Sequence, residues 1–274
     1  TGAERAVAMA KVAPSDPYAG LADRSRLYQG GADFDLFDAR EMSADELAQV
    51  AMEAEDAARS VDGVTNSEGA GAERSVLHFA LATSAGFAQE RRSSSASIST
   101  SVIAGSGTAM ERDYAYSTAR HWSDLESAVT IGKRAGERAV KRLNPTKIDT
   151  GTLPVVFDPR AGQSLLGHLT SAVNGQSISR GTSFLRGKMN EKIFAPSITI
   201  MDDATRKRGL KSRHFDAEGV TAQPLKLIDK GVLQNWILDS ATARQLELET
   251  TGHAARGPAT PISPTASNVY MMAG

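Results

Sequence analysis

The chain contains no cysteine. That excludes a disulfide scaffold and every thiolate metal site, and it fits a reducing compartment. No apolar run approaches the roughly 18 residues needed to span a bilayer. Aromatic residues make up only 5 % of the 274, too few for an extended surface that stacks bases or sugars. Neither sign of charge dominates: 31 Lys and Arg stand against 32 Asp and Glu, for a net charge of −1. No global field therefore draws nucleic acid or an anionic membrane. The opening residues, TGAERAVAMAK, carry neither an initiator Met nor a signal-peptide pattern, and the last, NVYMMAG, read as the start of a strand. We read the chain as a piece of a longer one.

What remains is ordinary for a globular protein: 41 % apolar and 23 % charged residues. A first helix is expected over Glu4–Val12, stopped by Pro14. Ser43 and Glu46 form an S-x-x-E capping box. Behind it Leu47, Val50, Ala51, Ala54, Ala58 and Val61 recur at helical spacing. From Val64 to Ala119 the runs become Ser/Thr-rich and partly alternating, with Gly and Ser between them. That pattern predicts an antiparallel meander with a solvated face, and low-complexity disorder is the competing reading. A second helix is expected from about Asp124 to Leu143, capped by Ser123 and Glu126. Its Lys133, Arg134, Arg138, Lys141 and Arg142 could bind phosphate, or form a solvated face with Glu137 pairing Lys141. Beyond NPTKIDTGT we expect a strand LPVVFD, the helix beginning near Ser164, a strand SITIMDD, a hairpin turning at Asp229-Lys230-Gly231 and a short helix SATARQLEL. The loop TTGHAARGPATPISPTASN is long enough to be either functional or poorly ordered. The fold class is α+β: an antiparallel sheet with packed helices in a central domain, then a β-rich C-terminal domain.

A search for chemistry ends mostly in absences. The five histidines, at 78, 121, 168, 214 and 253, include no H-E-x-x-H pair that would put two imidazoles on one helix face. VVFDPRAGQSLLGHL has the strand–turn–helix order of a nucleophile elbow around Ser164, but Leu166 stands where G-x-S-x-G needs glycine. The alternative is that Ser164 caps the helix. GSGTAM and GAGAER lack the third glycine of a dinucleotide loop, and no Walker lysine is present. The acidic pairs Asp202/Asp203 and Asp216/Glu218 could hold Ca²⁺ or Mg²⁺, and neither has EF-hand spacing; for Asp202 and Asp203, where SITIMDD leaves its strand, the alternative is a turn.

The segments VDGVTNSEGAGAERSV, MERDYAYSTARHWSDLES, IGKRAGERAVKRLNPTK, LPVVFDPRAGQSLLGHL, SRGTSFL, FDAEGV and TTGHAARGPATPISPTASNVY together resemble the TldD/PmbA family, in its PmbA (TldE) branch. The resemblance covers nearly all of the chain from about Asp35. It implies residues 1–34 as the end of an N-terminal region, 35–148 as a central α/β domain and 149–274 as an incomplete β-rich C-terminal domain. It also implies a cytoplasmic bacterial or archaeal protein working with a TldD-type catalytic subunit. The pair would be a zinc peptidase of short or unfolded peptides, linked to peptide-antibiotic maturation and antitoxin turnover; the family's older label is modulator of DNA gyrase. The catalytic branch carries His-Glu-x-x-x-His after a leucine pair and a Cys further on. In this sequence Leu165-Leu166 is that pair and Arg180-Gly181-Thr182-Ser183 the later anchor. Gly167 then falls at the first His, His168 at the Glu, and Ala172 or Val173 at the second His. The resemblance thus implies no catalytic residue and no cofactor in this chain, with zinc only in the partner. GQSISRGTSFLRGK and TTGHAARGPATPISP would line a shared chamber, with Arg180, Arg186, His253 and Arg256 as peptide contacts. Two alternatives stay open: a metal-free homo-oligomer that binds peptides, and a residual hydrolase using Ser164 or His168.

Overall fold

A computed structural model of the chain describes residues 1–257 and 260–272. An exposed helix α1 (Gly2–Val12) leads into an irregular segment and then α2 (Ala44–Arg59). The Ser43/Glu46 box forms as expected: the Ser43 hydroxyl accepts from the Glu46 amide, and the Glu46 carboxylate accepts from the Ser43 amide at 2.7 Å. These bonds satisfy donors that a helix start leaves unpaired.

Three antiparallel strands follow, in the order β1 (Val64–Ala82), β2 (Ala88–Ala104) and β3 (Glu111–Ala119). The alternation in β2 sorts its faces. Ser94, Ala96, Ile98, Thr100, Val102 and Ala104 point inward and are buried. Between them, outward Ser97 and Ser101 bond Glu73 and Glu68 across the sheet. The Ser-rich run is therefore a two-faced strand, and the disorder reading falls away.

The inward face is covered by α2 and α3 (Ala128–Lys141), with Ile98, Val102, Ala54, Ala58, Ile131 and Ala135 at the centre of the core. The two helices touch through alanine and glycine. A Cβ placed on Gly132 would lie 2.2 Å from the Ala54 carbonyl oxygen, and one on Gly136 2.7 Å from Val61 Cβ. The start of α3 differs from the expectation. Trp122–Asp124 forms a separate single turn, and the cap is Ser127, bonded to the Thr130 amide. Glu126 instead takes the Arg134 guanidinium, so the acidic partner of the basic face lies ahead of the helix.

β3 pairs with β2 only from Ala96 onward, which leaves the far arm of the β1–β2 hairpin free to reach the second half of the chain. Phe79, Leu81 and Phe87 on that arm meet Phe215 and Val220, together with Ala22 and Leu27 from the N-terminal segment. Arg208 adds a clasp, with Nε 2.6 Å from Asp35 and Nη1 2.9 Å from Asp124.

The second half begins with an unpaired segment. LPVVFD forms no strand; Leu153, Val155, Val156 and Phe157 lie exposed, Val156 at 95 %. An apolar run forms a ladder only where another strand meets it, and no described strand does. Two helices, α4 (Pro159–Ala172) and α5 (Gly175–Ser179), precede a four-stranded antiparallel sheet. Its strands are β4 (Ile200–Asp203), β5 (Pro224–Asp229), β6 (Val232–Leu233) and β9 (Val269–Met271), ordered β6-β5-β4-β9. The hairpin turns where expected, with Lys230 and Gly231 both at positive φ. A short helix α6 (Ser240–Gln245) and a small ladder of β7 (Ala254–Ala255) with β8 (Ser263–Pro264) complete it. Mixed helices and antiparallel sheets make the protein α+β.

Candidate functional site

Helix α4 starts at Asp158, whose carboxylate accepts from the Arg160 amide at 2.9 Å, with Pro159 at the first position. Ser164 is therefore not the cap. It lies inside the helix, and its hydroxyl donates to the Ala161 carbonyl at 2.7 Å. No sharp strand-to-helix turn presents it, so the elbow geometry is absent. Arg160 docks the helix start on the central sheet: its Nη1 lies 2.9 Å from Asp113 Oδ1 and 3.2 Å from the Tyr114 carbonyl, and the guanidinium stacks 4.8 Å from the Tyr114 ring. Burial alone would raise the Asp113 carboxyl. The Arg160 bond, the Tyr114 amide and the nearby Arg142 outweigh it and hold that carboxyl below the ordinary range.

One face of α4 packs Leu169, Ala172 and Val173 into the core of the second half. The other presents Leu165, Gly167, His168 and Ser171 to solvent, and nothing lies within 4 Å of a Cβ placed on Gly167. Of the three positions that the family resemblance sets against a zinc helix, Gly167 and His168 are exposed neighbours while Ala172 is buried. Among the described residues no three His, Cys, Asp or Glu side chains converge as a metal-holding group.

Both predicted loops are rooted at the far end of this helix. The Ser183 hydroxyl donates to the Ala172 carbonyl at 2.5 Å, satisfying an acceptor at the helix end. The Thr182 and Ser183 amides donate to the Ser177 carbonyl at 3.0 and 3.2 Å. The Asn174 amide nitrogen donates to the Pro264 carbonyl at 2.8 Å, which fixes the second loop beside α5. Arg180 caps α5 and is exposed; Arg186 is exposed and folds its guanidinium over Gly181. Arg256, also exposed, opens onto a cavity of about 290 Å³ shared with Leu21, Ala82 and Glu218. Residues 258 and 259 of that loop lie outside the described residues.

His253 does not belong with the three arginines. It is fully buried, its Nε2 3.5 Å from the equally buried Asp202. The Nδ1 lies 2.8 Å from the Thr251 carbonyl. A peptide in a surface chamber cannot touch it, so its assignment as a direct contact is corrected to an internal support. Asp202 accepts from the Ser267 amide at 2.8 Å and from the Ser267 hydroxyl. Burial would raise this carboxyl, but His253 and Ser267 outweigh that and hold it low. Serine and histidine both address the carboxylate and not each other, so the trio is no relay for a nucleophile.

The other acidic residues are similarly occupied. Asp216 is fully buried and accepts from the amides of Glu218, Val220 and Ala254 at 2.9, 3.0 and 3.0 Å. Its carboxyl is raised, mainly by burial. Glu218, raised for the same reason, accepts from the Ser240 amide and hydroxyl at the start of α6. Asp203 forms a turn, accepting from the Thr205 amide and hydroxyl. These carboxylates hold loops in place. The turn at Asp203 follows the sequence expectation, while the roles of Asp202 and Asp216 were not visible in the sequence, because they accept from backbone amides as far as 65 residues away.

Comparison with known proteins agrees along the chain. Residues 37–143 match a family model described as the PmbA/TldA metallopeptidase central domain, and residues 150–274 match the C-terminal domain of the same family. "Metalloprotease PmbA" of Escherichia coli O157:H7 is 36 % identical over 252 residues, covering 92 % of this chain and 56 % of that protein. A "Metalloprotease TldD homolog" of Haemophilus influenzae is 32 % identical over 152 residues, covering 54 % of this chain and 31 % of that one. A Bacteroides thetaiotaomicron crystal structure named for modulation of DNA gyrase superposes with a TM-score of 0.88 at 27 % identity, over 99 % of this chain and 60 % of that one. TldE of Thermococcus kodakarensis shares the fold, with a TM-score of 0.79 at 20 % identity over 99 % of this chain and 61 % of that one. The chain spans little more than half the length of the PmbA relative it matches. It belongs to the PmbA/TldD metallopeptidase family.

Proposed function

We propose that this chain is the non-catalytic subunit of a TldD/PmbA-type peptidase, closing a chamber in which a zinc-bearing partner cleaves short or unfolded peptides. One observation carries the reading. The helix that would hold the metal offers solvent a glycine, one imidazole and hydroxyls, with neither a second imidazole nor a carboxylate on that face. Zinc needs three or four convergent ligands, and the residues of α4 do not fit it. The chemistry of metal-activated water then belongs to the partner.

This chain's own part is to bind and position. Arg180, Arg186 and Arg256 are exposed on two loops rooted at the end of α4, and each can take a peptide carboxylate. The exposed run Leu153–Phe157 offers unpaired backbone and apolar side chains, the composition of a strand completed by another chain. A cytoplasmic location belongs to the same reading and is supported by the absence of cysteine. Among the described residues no helix is long and apolar enough to cross a membrane.

The test is copurification with a TldD-type subunit followed by cleavage of an unfolded peptide. Cleavage is expected only when both proteins are present. Equal cleavage by the TldD-type subunit alone would sink the proposal. A stable homodimer indifferent to that subunit on size exclusion would instead support a metal-free peptide-binding oligomer.

A further inference from the structure

A second cavity, of about 380 Å³, opens where the free arm of the β1–β2 hairpin meets the second half of the chain. Arg91 from β2, Arg120 from just after β3, and Lys211 and Arg213 from the following half all line it. None of the four takes part in an ion pair among the described residues; the arginines that do are elsewhere.

Their hydrogen-bond partners are neutral. Arg120 donates to the carbonyls of Gly209, Ser94 and Leu210, two of them at 3.2 and 3.0 Å. Arg91 donates to the Phe215 carbonyl at 3.2 Å and stacks 4.8 Å from the Phe79 ring. Arg213 reaches the Gly252 carbonyl at 3.4 Å, while its buried Nε has no partner. The carboxylates whose charge reaches Arg213 are Asp216 and Asp202. Backbone amides hold Asp216, and Ser267 with His253 holds Asp202. Positive charge thus collects around one opening without a bonded counter-charge. Burial, and then repulsion from Arg213 and Arg120, lowers Arg91 to about 10. A folded protein keeps such an arrangement at a cost that a bound anion would remove.

The lining is not only basic. Leu36, Leu77 and Leu210 form apolar wall beside the cations. The volume lies within the roughly 300–1,000 Å³ of small-molecule sites. A planar carboxylate matches the guanidinium fork, and the leucines suit an apolar group next to it.

We propose that this cavity binds the free C-terminal carboxylate of a short peptide whose last side chain is apolar. The anion site follows from the arginines alone; the choice of a peptide as its bearer rests on the function proposed above.

The experiment measures binding of acetyl-Ala-Ala-Leu to the purified protein by calorimetry, beside the same tripeptide with an amidated C-terminus and beside inorganic phosphate. The free acid is expected to bind saturably and the amide about tenfold more weakly or worse, since the amide loses the charge-assisted hydrogen bonds to the guanidinium groups. Arg213→Gln should weaken the free acid by a similar factor and leave the amide unchanged. Lys211→Gln, at an exposed rim position, guards against a folding defect and should weaken the acid by a smaller factor, with an unaltered melting temperature. Equal affinity for acid and amide overturns the proposal, as does binding that ignores both substitutions. Phosphate bound in preference to the acid overturns the carboxylate assignment. No cleavage partner is needed, so this result and the fate of the proposed subunit role can be told apart.

Discussion

Both halves of the molecule pack an apolar core, but they tie the rest of the chain to it differently. Residues 44–141 form a sheet and two helices whose contact surfaces are alanine, glycine, valine and isoleucine at regular spacing. Among the described residues, 159–272 contain only short strands, of two to six residues, around an apolar core of leucine, isoleucine and valine, and buried carboxylates that gather backbone amides from distant segments tie the loops to it. The first half shows that periodic packing can build a layer in which small side chains let two helices meet closely while isoleucine and valine fill the space to the sheet. The second shows that loops can be tied down by buried polar groups, provided that each buried oxygen has its donors.

The sharpest way to break the first half is volume. Gly132→Leu pushes a side chain into the Ala54 carbonyl, already 2.2 Å from an ideal Cβ. Overpacking costs about 1–3 kcal/mol and more where backbone must move. Urea unfolding should show a loss at or above the top of that range, or no folded protein. The matching break in the second half removes a polar hub. Asp216→Ala orphans three backbone amides, and at about 1–3 kcal/mol for each buried unsatisfied group the loss should reach about 3 kcal/mol or more. A loss below 1 kcal/mol would contradict the account of that half.

A smaller effect is expected at the joint between the halves. The Asp113 carboxyl is held below its ordinary range, so its contribution is present above the unfolded value near 4 and is lost as pH falls through the depressed folded value. Asp113→Asn should lower stability at neutral pH and flatten its acid dependence. An unchanged acid profile would show that Arg160 and Asp113 do not couple. The smallest effect on stability belongs to Val156→Lys, at an exposed position, within about 0.5 kcal/mol by thermal melting. The same change should abolish copurification with a TldD-type subunit if the exposed run is the contact.

The same contrast explains how much was legible in advance. In the first half, the Ser43 cap, the α2 spacing and the β2 alternation were all readable, since each signal is local. A cap expected at Ser123 failed because two Ser-x-x sites four residues apart compete, and Ser127 took the helix; among the described residues the basic face is paired by Glu126 and not by the expected Glu137. In the second half, LPVVFD has the composition of a strand, yet a strand needs a neighbour and none is described. Asp158 and Ser164 both suit a helix start, and Pro159 decides between them. His253 looked available because its loop is rich in Gly and Pro; its burial against Asp202 depends on a contact between residues 51 apart. Arg91, Arg120 and Arg213 lie in three separated segments, and no sequence spacing signals that they meet. The family resemblance extended to the helix positions 167, 168 and 172 but not to which side chains face outward.

The claim that α4 is a metal-site helix without its ligands is tested most directly by metal content. Elemental analysis of the purified protein, dialysed without chelator, should find zinc well below one per chain, unchanged by His168→Ala. One zinc per chain, lost on that substitution, would contradict it.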